Sequence, residues 1–288
     1  MKLTGTIIAA HGRQYLVELA DGERLRCFPR GKKSELACGD RVDLSRSGDA
    51  QGVIDRVETR HSLLYRSNEF KQKLIAANVT QIVIVVACEP TFSDDLVTRC
   101  LVAAESQGLR PLIVLNKCDL AERLPAALAV LAPYVRLGYP VLQLCAHSDA
   151  ERLRPYLAAQ TSVLVGQSGM GKSTLINALV PGAGAATREI SAALDSGKHT
   201  TTHATLYRLA GDAQLIDSPG LQEFGLRHLS PQEIEHAFPE LRPLLGQCRF
   251  RDCRHDREPD CAVRAAAARG EIDARRLATF LALCAASR

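Results

Sequence analysis

The stretch that decides the fold of this chain is Gly166-Gln167-Ser168-Gly169-Met170-Gly171-Lys172-Ser173. An apolar run at 161–165 precedes it, and a second apolar segment begins at Thr174 and ends at Leu179. This order predicts a strand, a phosphate-binding loop and a helix, in which backbone N–H groups and a helix N-terminus bind phosphate. A chance glycine- and serine-rich turn is the alternative, but it would not require the complete GxxxxGKS spacing.

Two residues at the end of this loop have specific chemical roles in the prediction. Lys172 is expected to reach the β and γ phosphates of a nucleotide, and the hydroxyl of Ser173 is expected to ligate Mg²⁺. The backbone of 166–174 supplies the other contacts, because glycines let several N–H groups point toward one phosphate. The loop therefore predicts a nucleotide ligand without identifying its base.

A second motif identifies the base. Apolar runs at 82–88 and 111–115 are typical of strands buried on both faces of a parallel sheet. Asn116-Lys117-Cys118-Asp119 follows the second run, at the strand end where ligands bind. The Asp119 carboxylate can accept hydrogen bonds from guanine N1–H and the 2-amino group, while Asn116 braces the loop and the Lys117 stem covers the base. Adenine lacks both donors, so such a site rejects it by about 10⁴-fold.

Two further segments complete the base-binding half of this domain. Ser93 begins a predicted helix with acidic residues in its first turn, and a glycine ends that helix near residue 108. After the next predicted strand, at 140–144, Cys145-Ala146 stands where guanine-binding domains usually carry Ser-Ala. The base contact at this position is normally a backbone N–H, which Ala146 can provide.

The segment after the phosphate loop has the features of nucleotide-sensing switches. It is polar over 184–202 and long enough to be mobile. One threonine of Thr200-Thr201-Thr202 can ligate Mg²⁺, and Thr201 is our candidate. In Asp217-Ser218-Pro219-Gly220, Asp217 supplies a carboxylate near Mg²⁺ and Gly220 an N–H for the γ-phosphate. His199 is a candidate to orient the attacking water, and contact with a partner is the alternative.

The order of these elements differs from that of an ordinary G domain. NKxD and Cys-Ala precede the phosphate loop, and the switch and DxxG follow it. Because the chain ends of a compact domain usually lie close together, a circular permutation preserves the site. DxxG then leads directly into the C-terminal module, which nucleotide state could therefore move. Leu221 stands where a water-positioning glutamine often follows DxxG, so intrinsic hydrolysis is expected to be slow until a partner completes the site.

The N-terminal segment predicts a small β-barrel. Five strand-like runs alternate with turn signals, at 3–10, 14–19, 24–28, 41–45 and 52–57. This spacing favours an OB-type Greek-key barrel over an SH3-like barrel. Such barrels bind oligonucleotides, and the candidate RNA contacts are the basic residues Arg26, Arg30, Lys32 and Lys33. Ordinary surface charge on a spacer domain is the alternative.

The C-terminal segment predicts a metal site between helices. Its four candidate ligands are Cys248, Cys253, His255 and Cys261. Three thiolates and one imidazole match a tetrahedral structural zinc site, and four protein ligands leave no position open for catalysis. Disulfides or free thiols are the alternatives. Helix signals begin at Ser230 and continue over 262–270 and 273–286, on both sides of the cluster.

Length and composition limit the number of domains and the class of protein. At 288 residues and 46% hydrophobic, the chain is long enough for several cores. We assign 1–60 to the barrel, 61–73 to a linker without clear periodicity, 74–225 to the G domain and 226–288 to the helical zinc-binding domain. The longest apolar runs are strand-sized, far below the roughly 20 residues of a membrane helix. With a net charge of +4 and no export signal, we expect a monomeric cytoplasmic protein with reduced thiols.

Together the motifs resemble a known family. The barrel, the permuted order of NKxD, GxSGxGKS, GxHTTT and DSPG, and the closing CxxxxCxHxxxxxC are similar to the RsgA (YjeQ/YloQ-type) GTPases. The resemblance covers nearly the whole chain. It implies GTP/GDP, Mg²⁺ and one structural Zn²⁺ as ligands, and the immature small ribosomal subunit and its rRNA as partners. It also implies that the subunit stimulates GTP hydrolysis, which times release.

Two other functions fit the same motifs. One is a signalling switch whose barrel and zinc-binding domain grip a protein partner, which co-sedimentation with ribosomes would distinguish. The other is a nucleotide-dependent RNA-binding module without useful hydrolysis, which a single-turnover assay would distinguish.

Overall fold

The computed structural model describes residues 2–31, 35–68, 71–184, 204–218 and 225–287. The strands are β1 (Lys2–His11), β2 (Gln14–Leu19), β3 (Arg24–Pro29), β4 (Arg41–Gly48), β5 (Gln51–Val57), β6 (Leu63–Asn68), β7 (Lys71–Ala77), β8 (Gln81–Ala87), β9 (Arg110–Asn116), β10 (Val141–Gln143), β11 (Thr161–Val165), β12 (Thr205–Arg208) and β13 (Gln214–Asp217). The helices are α1 (Asp94–Ser106), α2 (Leu124–Arg136), α3 (Arg154–Leu157), α4 (Lys172–Leu179), α5 (Pro231–His236), α6 (Ala262–Ala268) and α7 (Ala274–Ala286). Over these ranges, no helix has the length and apolar character needed to cross a bilayer.

Strands β1 to β5 form a closed barrel. β1 pairs with β2 and β4, β2 with β3, and β4 with β5, all antiparallel, while β3 and β5 are parallel. The closed order β1-β2-β3-β5-β4-β1 is a Greek-key arrangement and confirms the OB-type barrel. Alternate side chains point inward, among them Val17, Leu25 and Leu44, which are fully buried.

The segment 61–73, predicted to be a linker without clear periodicity, instead belongs to a hairpin of β6 and β7. Ala77 donates its N–H to the carbonyl of Cys38, in the segment between β3 and β4 of the barrel, at 2.8 Å. Gln107, at the end of α1, bonds both the N–H (2.7 Å) and the carbonyl (3.0 Å) of Leu63. The hairpin is thus hydrogen-bonded to the elements on both sides of it. Its charged residues concealed the strand pattern that buries Leu64.

The central sheet has the order β10-β9-β8-β11-β13-β12. The first five strands are parallel, and β12 is antiparallel to β13. Every residue of β8 is buried, as expected for a strand covered on both faces. The predicted N-cap of α1 is present, since Ser93 Oγ accepts the N–H of Leu96 at 3.2 Å. Helix α2 was not predicted. The loops after β9, β10, β11 and β13 open at one edge of the sheet.

The barrel and the central sheet are joined edge to edge. β1 pairs antiparallel with β12 through Ala9 and Thr205, which produces one continuous 11-stranded sheet. Glu18 on β2 is 7% exposed and pairs with Arg24 of the barrel (3.1 Å) and with Arg208 of β12. The barrel is therefore attached to the strand that lies between the two predicted switch segments.

The C-terminal helices pack against the central domain around one buried arginine. Arg276 of α7 is 1% exposed and forms two hydrogen bonds with the carboxylate of Glu240. Its guanidinium lies 5.3 Å from the ring centre of Tyr134 on α2 and 4.9 Å from that of Phe238. A charge at this depth is tolerated because it is paired and hydrogen-bonded. Helices α6 and α7 confirm the two helices predicted after the last cysteine of the cluster.

Glu240→Ala should lower the free energy of unfolding by about 3–5 kcal/mol, because it leaves the Arg276 charge buried without a partner. Urea denaturation followed by circular dichroism measures the change. As a control, Glu271→Ala removes an exposed pair with Arg269 and should leave the unfolding midpoint nearly unchanged. Equal midpoints for the two variants would show that the Arg276–Glu240 pair does not fix the C-terminal helices.

Candidate nucleotide site and metal centre

The phosphate loop, 166–173, depends on two glycines. Gly166 and Gly171 have φ angles of 150° and 93°. A Cβ on Gly166 would lie 2.3 Å from the carbonyl oxygen of Val85, and one on Gly171 would lie 2.1 Å from Nδ2 of Asn116. Only residues without a side chain permit this close approach to β8 and to the NKxD loop.

Asn116 connects three loops of the site. It is 2% exposed, and its Nδ2 donates to the carbonyl of Met170 at 2.9 Å. Its Oδ1 accepts the N–H of Ala146 at 2.8 Å. The bracing contact expected of Asn116 is therefore present. Beside it, Lys117 has a positive φ of 58° and Asp119 is exposed.

The loop after β10 is held by a carboxylate that we did not predict. Cys145 donates its N–H to Oδ1 of Asp149 at 2.5 Å, and the N–H of Asp149 returns to the Cys145 carbonyl at 2.9 Å. The N–H of Ala146, which we predicted to contact the base, donates to Asn116 in this structure. A base contact by Ala146 stays a prediction.

Two opposite charges lie at the bottom of the phosphate loop. Nζ of Lys172 donates to the carbonyls of Gly166 (2.7 Å) and Gln167 (2.8 Å), and Asp217 ends β13. Both side chains are largely buried. Burial raises the pKa of Asp217 to about 6, against the attraction of Lys172, and burial lowers the pKa of Lys172. Both shifts favour the neutral forms, so the cost of desolvation outweighs the attraction between the two side chains. A bound anion would favour the charged form of Lys172, and a bound metal ion would favour the charged form of Asp217.

Several predicted residues cannot be placed. His199, Thr201, Gly220, Lys32 and Lys33 lie outside the described residues, and their roles stay predictions.

Ser173 and Thr174 lie in the first turn of α4, and Gly171 is the N-cap of that helix. This is the position expected for residues that bind phosphate and its metal at a helix N-terminus.

The outer face of β3 combines basic residues with an aromatic ring. Arg26 donates two hydrogen bonds to Oε1 of Gln14, at 2.9 and 2.7 Å, and Arg30 pairs with Asp55 at 2.7 Å. Phe28 lies on the same face of β3 as Arg26, two residues before Arg30, and is 37% exposed. The barrel therefore presents a ring beside both described RNA-contact candidates.

The cysteine and histidine side chains converge as a metal site requires. Sγ of Cys248 lies 3.8 Å from Sγ of Cys261 and 3.5 Å from Nδ1 of His255, and that nitrogen lies 3.3 Å from Cys261. With Cys253 included, all four donor atoms lie within 4.8 Å of one another. Tetrahedral zinc with bonds of about 2.3 Å to sulfur and 2.0 Å to nitrogen places neighbouring donors about 3.5–3.8 Å apart. The donor set and its spacing fit zinc.

A second residue that we did not predict orients the histidine ligand. Nε2 of His255 bonds Oε1 of Glu235 on α5 at 2.6 Å. Carboxylates in this position fix the imidazole tautomer and direct the other nitrogen toward the metal. Glu235 is 20 residues from His255 in sequence and on a separate helix, so no ligand spacing pointed to it.

The loop between the second and fourth zinc ligands folds around Glu258. Its carboxylate accepts N–H bonds from Arg254 (3.0 Å), Asp256 (3.1 Å) and Arg257 (3.1 Å). These bonds, the one from Arg254 above all, lower the pKa of Glu258 to about 2. The acceptor is therefore ionised at neutral pH, and it holds the loop that spaces the ligands.

Glu235→Gln should weaken zinc binding by about 10–100-fold, because the amide orients and polarises His255 less effectively than a carboxylate. Competition against a chromogenic chelator, with the full chain, measures the affinity. The matched control is Glu233→Gln on the same helix, which retains an oxygen for the Ser230 N–H and should bind zinc like the unmodified protein. Equal affinities for both variants would refute the role of Glu235.

Comparison with known proteins supports the family resemblance over most of the chain. Residues 57–227 match the family model described as RsgA GTPase. A protein of Ralstonia pickettii (strain 12J), named Small ribosomal subunit biogenesis GTPase RsgA, is 55% identical over 280 residues, which are 94% of this chain and 89% of that protein. The protein of the same name from Burkholderia pseudomallei (strain K96243) is 56% identical over 284 residues, 97% and 90% of the two chains.

Solved structures agree with the sequence relatives. YjeQ from Thermotoga maritima superposes with a TM-score of 0.75 at 30% identity, covering 100% of this chain and 99% of that one. YloQ, described as a circularly permuted GTPase, gives a TM-score of 0.71 at 26% identity, covering 100% and 95%. The permuted order and the three-part architecture predicted from the motifs are confirmed. The chain belongs to the RsgA family of GTPases.

Proposed function

We propose that this GTPase acts in biogenesis of the small ribosomal subunit. It binds the immature subunit through rRNA, as a monomer in the cytoplasm, and is released when GTP is hydrolysed to GDP and phosphate. The observation that carries this proposal is the 55% and 56% identity, over nearly the whole chain, to relatives that have this role in their names. The matched residues make up 94% and 97% of this chain, so the comparison is not confined to the G domain.

The loops that Asn116 connects would bind the guanine base. The exposed Asp119 carboxylate would accept the two guanine donors, the stem of Lys117 would cover the ring, and Ala146 would share its N–H between Asn116 and the base. The rigid support of these loops by a buried amide favours this assignment, because a base site must hold its acceptor in a fixed position.

The metal and phosphate contacts follow the loop geometry. Ser173, Thr201 and Asp217 would hold Mg²⁺, which would supply positive charge to stabilise the phosphates during hydrolysis. Lys172 would exchange its two carbonyl acceptors for phosphate oxygens. The backbone N–H groups of 166–174 would bind the remaining oxygens.

Hydrolysis would use residues of the two switches. Water would attack the γ-phosphorus, the bond to the β–γ bridging oxygen would break with its electron pair leaving on GDP, and the proton of the water would pass to a phosphate oxygen. His199 would orient the water, and the N–H of Gly220 would bind a γ-phosphate oxygen. The leucine side chain at position 221 has no group that hydrogen-bonds water, so a slow intrinsic rate and stimulation by the bound subunit are expected.

The outer face of the barrel is the proposed rRNA contact. Arg26 and Arg30, with Lys32 and Lys33 shortly after them in the sequence, would contact phosphates, and the exposed ring of Phe28 would stack on an unpaired base. The zinc ion, held by Cys248, Cys253, His255 and Cys261, would stabilise the C-terminal module without taking part in hydrolysis.

The first test is GTP hydrolysis by the full chain with and without purified small ribosomal subunits, with large subunits as the control. Because a partner that completes a GTPase site can raise kcat by about 10³-fold or more, stimulation by small subunits alone should be at least about tenfold. Co-sedimentation with small subunits, stronger with a non-hydrolysable GTP analogue than with GDP, should accompany it.

Other outcomes favour the two alternative functions. GTP hydrolysis that neither subunit stimulates, without co-sedimentation, would favour a switch that acts on a protein partner. Co-sedimentation without single-turnover hydrolysis would favour a nucleotide-dependent RNA-binding module.

Asp119→Asn tests guanine recognition directly. The amide presents a donor to the guanine amino group, so GTP affinity should fall by about 100-fold or more, while affinity for xanthosine triphosphate, which has an oxygen there, should rise. Fluorescence titration with labelled nucleotides measures both. Asp212→Asn, in the turn between β12 and β13, should leave the preference unchanged. An undiminished affinity for GTP in Asp119→Asn would place the base elsewhere.

A further inference from the structure

Helix α1 begins with half of a capping box. The N-cap residue Ser93 accepts the N–H of Leu96 at 3.2 Å. In a complete box the residue at that third helical position returns a side-chain acceptor to the N–H of the cap, which the apolar Leu96 cannot do. Helix α5 shows the complete form, since Ser230 N–H donates to the carboxylate of Glu233 at 2.7 Å.

The phosphate loop supplies the acceptor that α1 lacks. The N–H of Ser93 donates to Oε1 of Gln167 at 2.7 Å, across 74 residues of sequence. A backbone N–H can only donate, so the oxygen of the amide must face it. Elsewhere in the loop, a Cβ added to Gly169 would lie 3.4 Å from the ring of Pro90, so the loop also passes close to the segment before α1 there.

Helix α1 also contacts the C-terminal module. In its first turn, Asp94 accepts a hydrogen bond from the hydroxyl of Tyr134 at 2.5 Å and lies 3.6 Å from Arg275 of α7. In its last turns, Glu105 accepts from Arg242 at 2.7 Å. One helix therefore contacts the phosphate loop at its N-terminus and the zinc-binding module along its length.

We propose that Gln167 is a positioning residue for nucleotide binding. Its side chain completes the cap of α1 and thereby holds the phosphate loop in the shape that binds phosphate, so the position of α1 is transmitted to the loop. The inference rests on the proposed function only in that this loop binds GTP. One hydrogen bond of this kind corresponds to a change in affinity between about 2-fold and 10-fold, because a loop without it must be ordered on binding.

The test compares variants of the full chain by titration with labelled GTP and GDP. Gln167→Met keeps the length and removes the acceptor, and it should raise Kd for both nucleotides about fivefold. Gln167→Glu keeps an oxygen for the Ser93 N–H but adds a negative charge near the phosphates, so its Kd should lie closer to that of the unmodified protein than the Kd of Gln167→Met does only at high ionic strength, where that repulsion is screened. Gln167→Asn, too short to reach Ser93, should behave like the methionine variant and serves if that variant does not fold.

Glu233→Met is the matched control, because it removes the same acceptor from the capping box of α5. It should lower Tm without changing either Kd. Unchanged nucleotide affinity in Gln167→Met and Gln167→Asn, or an equal loss in Glu233→Met, would overturn the proposal. Failure of the unmodified protein to bind GTP would instead overturn the proposed function.

Discussion

The site depends on the buried amide of Asn116. Its two hydrogen bonds join a phosphate loop 54 residues away and a base loop 30 residues away. Without it, the Met170 carbonyl and the Ala146 N–H would both lose a partner in a region closed to water, which costs more than either bond contributes. The chain order of the loops is therefore unimportant, provided that all three end at the same edge of the sheet. This is why a permuted sequence can retain the site.

The features visible in the sequence are those that depend on local pattern. The fully buried β8, the barrel strands and the N-cap at Ser93 each follow from the periodicity or residue type of a short segment. The phosphate loop and the Cys₃His cluster follow from spacing, because their chemistry requires donors at fixed separations. These elements were predicted close to their observed limits.

The features that were missed depend on partners distant in the chain. Glu235 is an ordinary residue on its own helix, and Gln167 was predicted only as part of the loop that binds GTP. Only the fold places their side chains beside His255 and Ser93. The hairpin of β6 and β7 was missed because its charged residues concealed the strand pattern. The edge pairing of β1 with β12 left no mark on either strand, because the periodicity of a strand reports which face is buried and does not identify its neighbour.

The order of the strands has a consequence for synthesis on the ribosome. Domains begin to fold from the N-terminus as the chain emerges. In the described part of this chain, β9 pairs with β8, β10 with β9, and β11 with β8, so each strand finds a neighbour that has already been made. Within the described part of the central sheet β12 pairs only with β13, which is made after it, but β12 also pairs with β1, the first strand to emerge. The finished barrel thus offers a template for the last part of the sheet, and every strand of the central sheet after β8 has an earlier neighbour to pair with when it emerges.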